Sequence, residues 1–211
     1  MKVFIIGTGN VGAQQARAAA KAGHSVSIFS STSEEAAKVA AETGASVASS
    51  VAEGAKGVDL VYLAVPGSVL GSVAVELQNI DSKTVILDGT NPLNATFSDL
   101  DITGVSGAGD LQGLFANNSV VKAFNTVFAG RITSPSQKSP QLQAFIAGDS
   151  ADAKKVVAEY ATSLGFDALD VGGLRFARSL EEMAFLNIAL NASNSLSWQS
   201  AWSLSGPEKL A

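Results

Sequence analysis

Hydrophobic positions along this chain fall into short, nearly continuous runs separated by Ala-rich stretches. Residues 3–6, 25–29 and 58–65 are dense in β-branched and aromatic side chains, whereas residues 12–22 and 33–43 are rich in Ala. That alternation predicts βαβ units and an α/β fold, a Rossmann-type doubly wound parallel sheet with helices on both faces. Runs at 84–87 and 120–124 continue the series and end in small polar residues. In open α/β sheets those carboxyl ends are where ligands bind.

A Ser-, Pro- and Gln-rich stretch at 133–143 lacks any periodicity and reads as an exposed connection between domains. The division expected from it is a dinucleotide-binding domain at 1–136 and a small carboxy-terminal α/β annex at 137–211, packed on the first. Within the annex, strands are predicted at 144–147 and 168–171. A helix opened by Asp149-Ser150 should run to about Leu164, and a long final helix should begin near Phe176.

Gly7-Thr8-Gly9-Asn10-Val11-Gly12 follows the first strand and opens an Ala-rich helix, the context that makes a glycine pattern a dinucleotide fingerprint. Gly7 serves the tight turn, Gly9 the approach of backbone N–H groups to a pyrophosphate, and Gly12 close helix–strand packing. A bare turn without a ligand is the bland alternative. An acidic residue about twenty positions later would bind the ribose hydroxyls of NAD. Here the second strand ends in Ser30-Ser31-Thr32-Ser33, with no acid before Glu34. Hydroxyl and backbone donors without a carboxylate favour the 2′-phosphate of NADP over NAD. Ser31-x-x-Glu34 also has the form of a capping box, and the two roles are compatible.

Composition narrows the chemistry. Fourteen basic against nineteen acidic residues give a net charge of −5, and no basic cluster tracks a phosphate backbone, so nucleic acid is not an expected partner. There is no cysteine, which excludes disulfides and thiolate chemistry and is compatible with a cytoplasmic location. The amino terminus reads as a strand rather than a signal peptide, and no apolar run reaches the ~18 residues of a membrane span, so a soluble protein is expected.

The single histidine, His24, precedes the second strand and reads as a structural turn residue. With no His, Cys or metal-binding cluster left for chemistry, no residue is assigned as catalytic and no metal is expected. Oxidation of a hydroxyl needs a positioned base, whereas transfer between two redox cofactors needs mainly orientation, and the inventory leans to the latter. Lys122 is the one candidate proton donor, but strand alternation sets it opposite Val121 and Ala123, which suits a surface or strand-end role.

Taken in order, Gly7 to Gly12, Leu63-Ala64-Val65-Pro66, Asp88-Gly89-Thr90-Asn91-Pro92-Leu93, Val121-Lys122-Ala123-Phe124-Asn125-Thr126 and Ala147-Gly148-Asp149, closed by Asp170-Val171-Gly172-Gly173-Leu174 with Arg178 and Glu181, resemble the coenzyme F-420-dependent NADP oxidoreductase family. The KAFNT-type segment is also similar to the reductase domain of six-transmembrane ferric reductases. The resemblance implies NADP(H) with its pyrophosphate on Gly7, Thr8, Gly9, Asn10, Val11 and Gly12, and its adenosine phosphate near Ser30, Ser31 and Thr32. It implies a nicotinamide side lined by Ala64, Val65, Pro66, Asn91 and Pro92. A second redox ring, from FMN, FAD or a deazaflavin, would lie near Ala123, Asn125 and Thr126. The function implied is hydride transfer between NADP(H) and such an acceptor. A non-catalytic NADP(H) sensor is the alternative, and a dehydrogenase of the imine or β-hydroxyacid type would call for a longer helical substrate domain.

Apolar residues nearly encircle the last helix at 183–190, so burial on several sides, in the core or in a homodimer, is expected. Asn187, Asn191 and Asn194 form a polar stripe on it, for a ligand or for backbone groups. Trp198 and Trp202 lie one turn apart if the helix persists and would then form an aromatic pair. Arg178 and Glu182 suit a surface ion pair, and Arg131 is a cation near the expected crevice, free for an acidic tail or solvated.

Overall fold

The computed structural model describes residues 1–135 and 141–206. Eight strands form one sheet: β1 (Lys2–Ile6), β2 (Ser25–Phe29), β3 (Ser46–Val47), β4 (Leu60–Leu63), β5 (Val85–Asp88), β6 (Val120–Lys122), β7 (Gln143–Gly148) and β8 (Asp167–Gly172). Their order is β3-β2-β1-β4-β5-β6-β7-β8. All neighbours are parallel except β6 and β7. The chain leaves β1 toward β2 on one side and returns to β4 on the other, so the crevice between β1 and β4 is the switch point at which such sheets take ligands.

Helices α1 (Asn10–Lys21), α2 (Ser33–Thr43), α3 (Val51–Gly54), α4 (Gly67–Glu76), α5 (Gly107–Gln112), α6 (Ala129–Ile132), α7 (Ala151–Ser163) and α8 (Ala177–Ser193) surround the sheet. Strand β4, and β1 after Lys2, are apolar at every position because both faces are covered. Val3 and Ile5 join the core under α1 and α7, with Tyr62, Val121 and Tyr160. Phe4 and Ile6 join the opposite core, with Leu77, Leu111 and Leu174. One strand thus feeds two cores by simple alternation.

The boundary expected between 136 and 137 lies outside the described residues. What precedes and follows it shares the sheet: β7 pairs with β6 through Val121 and Gly148, and β8 adds beside β7. Helix α7 begins on an Ser150 cap whose side chain accepts from the Ala153 N–H, as the Asp149-Ser150 signal predicts.

Three local expectations are corrected. Helix α2 is not capped by Ser31; its cap is Thr32, without a side-chain bond, and Ser30 Oγ instead accepts from the Thr32 N–H at 3.2 Å. The final helix does not carry Trp198 and Trp202. It ends at Ser193, and the chain reverses through left-handed Ser195 and Trp198, leaving Trp198 edge-on to Phe128 and the Trp202 indole donating to the Met183 carbonyl. Nor is α8 apolar inward: its buried stripe includes Glu181, Asn187 and Asn191, whereas Leu186 and Leu190 face out.

Asn187 and Asn191 bind the returning segment, through Ser200 Oγ and the Trp198 N–H, and Arg131 is buried with its guanidinium donating to the Gln199 carbonyl. Polar side chains tie this terminal strap because, among the described residues, its backbone has no sheet partner apart from the bridge of Val127 to Ala201. Asn194 bonds the Leu190 carbonyl of its own helix, and Arg178 pairs with Glu182 at the surface.

His24 is structural. Its Nδ1 meets the amino-terminal ammonium at 3.2 Å and its Nε2 meets Ser163 Oγ at 2.7 Å, linking the start of β1 to α7. Burial, and then the adjacent positive terminus, lower its pKa below the usual histidine value. The unfolded chain therefore binds the proton more readily, so stability is complete above about pH 6.5 and declines as pH falls toward the lowered value. Urea titrations between pH 7 and pH 5 should show this loss, and His24→Gln should flatten that part of the profile.

Candidate functional site

Four loops, after β1, β4, β5 and β6, leave the sheet side by side at its carboxyl edge. The first is the glycine turn. Gly7 has φ 101°, and a Cβ there would collide with the Ala64 carbonyl, while one on Gly12 would collide with the Gly7 carbonyl. Both positions exclude any larger residue, since the turn is folded against the end of β4 on one side and against its own helix on the other. At Gly9, by contrast, added bulk meets nothing within 4 Å. The backbone is bare exactly where a ligand must approach, a use of glycine distinct from the other two.

Helix α1 starts there with no side-chain cap and no acid in its first turn. An uncapped helix start of this kind favours an anion by its exposed N–H groups and dipole. Thr8 is buried, with a hydroxyl that has no partner among the described residues. Asn10 is exposed and Val11 half-buried beside it. Ser30, Ser31 and Thr32 follow β2 at the same edge, with Ser31 and Thr32 exposed. These residues fit a dinucleotide phosphate: donors without a competing carboxylate, over space that no side chain fills.

The second and third loops follow β4 and β5. Ala64 and Val65 support Gly7, and Pro66 begins the wall of a cavity of about 770 Å3. Asn91 and Pro92 form its other side, with the start of α4, the 93–103 loop and α5. Ala123, Asn125 and Thr126, after β6, are buried and do not line this cavity. Of the three, Asn125 reaches the cavity wall, through Asn91. Asn125 Nδ2 donates to Asn91 Oδ1 at 2.9 Å and to the Leu180 carbonyl at 3.0 Å, and Asn91 Nδ2 donates to the Asn125 carbonyl. Because both partners of Nδ2 are acceptors, the amide orientation is fixed, and Asn125 Oδ1 is left buried without a partner.

Lys122 departs from the expected surface or strand-end role. It is fully buried, with Nζ at 2.9 Å from Asp88 Oδ2 and 3.1 Å from Glu181 Oε1, and it donates to the Thr90 carbonyl at 2.6 Å. Alternation misleads at this position because both faces of β6 are covered, so the side opposite Val121 is interior too. Asp88 also accepts from the Thr90 N–H and hydroxyl, and Glu181 from the Gly107 and Ala108 N–H groups at the start of α5. Burial alone depresses the Lys122 ammonium, but Asp88 and then Glu181 outweigh it and hold the pKa above the ordinary lysine value. The lysine stays charged, and the group is an ionic clamp rather than an acid.

Sequence reasoning did not single out Asp88 or Glu181 as charge partners, although both stand in the motifs. Their pairing joins residues far apart in the chain, and no spacing rule reaches that distance.

Comparison with known proteins agrees with this geometry. Residues 2–92 match the family described as NADP oxidoreductase, coenzyme F420-dependent. The family resemblance stated from the motifs is thus shown. A 76-residue stretch is 40% identical to the metalloreductase STEAP3 of Rattus norvegicus, which covers 36% of this chain and 15% of that protein, so the chain spans a small part of that relative. A candidate F420-dependent NADP-reductase from Arthrobacter sp. FB24 superposes with a TM-score of 0.80 at 27% identity, covering 92% of this chain and 95% of the other. A hypothetical protein of Sinorhizobium meliloti gives 0.73 at 27% identity, covering 82% and 85%. An imine reductase from Pseudomonas sp. shares the fold at 16% identity, with 63% of its length covered. Together the family match over residues 2–92 and the Arthrobacter neighbour support an NADP-dependent oxidoreductase. Among the described residues no helix is long and apolar enough to cross a membrane.

Removing one member of a buried ion pair leaves uncompensated charge. Lys122→Met, which strands two carboxylates, should cost about 3–5 kcal/mol in chemical denaturation, whereas Glu181→Gln, which leaves a neutral Lys122–Asp88 pair, should cost clearly less. Equal losses would show that the clamp is not the source of the effect.

Proposed function

We propose that the protein transfers a hydride between NADP(H) and a flavin or deazaflavin acceptor, as its motifs imply. The observation that carries this reading is the adjacency of two features: the uncapped glycine turn of α1 packs on Ala64 and Val65, and the next residue, Pro66, opens the 770 Å3 cavity. A dinucleotide held by Thr8 to Gly12 and by Ser30 to Thr32 would direct its far end toward that cavity. The bound dinucleotide supplies a hydride, and one solvent proton completes the two-electron reduction of the acceptor ring.

The chain's own part is positional. Gly7 and Gly12 fix the turn, the Asn91–Asn125 pair fixes the floor between the loops after β5 and β6, and the Lys122 clamp fixes α8 and α5 against them. Cavity-lining Asp101 and Asp110 are its titratable side chains, and Asp110 is engaged by the Thr103 and Gly104 N–H groups. This suits transfer that depends on orientation rather than on an acid or base. A homodimer through the exposed Leu186 and Leu190 of α8, and a cytoplasmic location, belong to the same reading.

Anaerobic mixing with NADPH and, in turn, riboflavin, FMN, FAD and a deazaflavin tests it by loss of NADPH absorbance. Rapid oxidation with one acceptor, and slower oxidation with NADH as donor, is expected. Saturable NADPH binding without turnover on any acceptor would instead favour a sensor. Ser31→Arg adds a cation beside the expected 2′-phosphate, so NADPH should bind more tightly with NADH little changed; equal effects on both would place that phosphate elsewhere.

A further inference from the structure

Phe97 sits in a conformation and an environment that the fold does not require. Its φ of 56° is rare for a bulky residue, and its ring is 69% exposed. The loop that presents it is closed rather than slack. Asn94 Oδ1 accepts from the Ser98 N–H at 2.9 Å and the Thr96 hydroxyl at 3.1 Å, the Phe97 N–H bonds the Asn94 carbonyl, and Leu93 bridges to Leu100 at the base. A tight turn thus holds an aromatic ring in solvent at a backbone cost, the circumstance in which strain marks a ligand clamp.

That ring is part of the wall of the 770 Å3 cavity, together with Leu70, Leu93, Leu111 and Leu114. The volume is in the range of small-molecule sites, and the apolar lining with few polar groups is typical of them. Among the described residues its lining contains two charged side chains, Asp101 and Asp110, both acidic, and no lysine or arginine.

Resting on the proposed hydride transfer, we infer that this cavity is the acceptor subsite, in which a planar reducible ring lies against Phe97 and acceptors with an anionic tail are disfavoured by Asp101 and Asp110. The acceptor class is a flavin-type ring with an uncharged side chain. A phosphate or polycarboxylate tail would meet like charge from these two exposed carboxylates, with no cation among the described lining residues to offset it. This moves the acceptor from the expected position over Asn125 and Thr126, which are buried, to the outer side of Asn91 and Pro92.

Two measurements on the full chain test the inference. Equilibrium binding by fluorescence, with NADP+ present, should rank riboflavin above FMN. Phe97→Ala should weaken riboflavin about ten-fold, the scale of one ring stack, with NADPH affinity unchanged, and Phe97→Trp should restore it. Asp101→Lys should narrow the gap between FMN and riboflavin. Turnover with flavins that is indifferent to Phe97→Ala, or FMN bound more tightly than riboflavin by the wild type, would overturn the subsite and leave the hydride-transfer reading intact. Ring binding that depends on Phe97 without oxidation of NADPH would support the subsite and overturn that reading. No ring binding at all would overturn the subsite.

Discussion

A lysine ammonium with no access to water organises the carboxyl edge of this sheet. Burying Lys122 is unfavourable unless its charge is met at close range, and it is met from two separate parts of the chain: Asp88 at the end of β5 and Glu181 on α8. Glu181 in turn receives the first N–H groups of α5. One side chain therefore ties two central strands and two helices at the level where the ligand loops emerge. Displacement of α8 would expose or strand charge, so the carboxy-terminal helix is held to the amino-terminal half by electrostatics as well as by Leu174 and Ala177, which join the core of Phe4 and Ile6.

The clamp's neighbours show the same economy. Asn125 is bound to the carbonyl of Leu180, the residue before Glu181, and to Asn91, two residues after Gly89. Phe124 takes φ 65° between Lys122 and Asn125, and its ring is turned into the core among Tyr62, Tyr160 and Phe166. Left-handed backbone at a bulky residue costs on the order of 1–3 kcal/mol. Burial of an aromatic ring offsets a cost of that size. The reversal aims Asn125 back to Asn91 on the cavity wall instead of letting β6 run on.

At the outer rim the constraint is different in kind. The glycine turn is fixed by exclusion, because Gly7 and Gly12 leave no room for a Cβ, and the loop bearing Phe97 is fixed by its own short hydrogen bonds. Neither depends on the ionic clamp directly. Floor and rim are thus stabilised by separate interactions.

Fold class was legible in the sequence because its signals are local. Short apolar runs between Ala-rich helices imply a sheet covered on both faces, and Gly7 and Gly12 at the first strand–helix junction specify a tight turn by sterics alone. The Ser150 cap and the start of α8 near Phe176 were read by the same local rules. What local rules could not reach was any pairing between distant segments. The placement of Lys122 required knowing that Glu181 arrives over β6, the fate of Trp198 required the terminal strap that Asn187 and Asn191 bind, and the cavity beside Phe97 exists only where α4, α5 and the intervening loop converge. Periodicity records which face of an element is apolar; it does not record which charge from elsewhere in the chain will meet a lysine buried there.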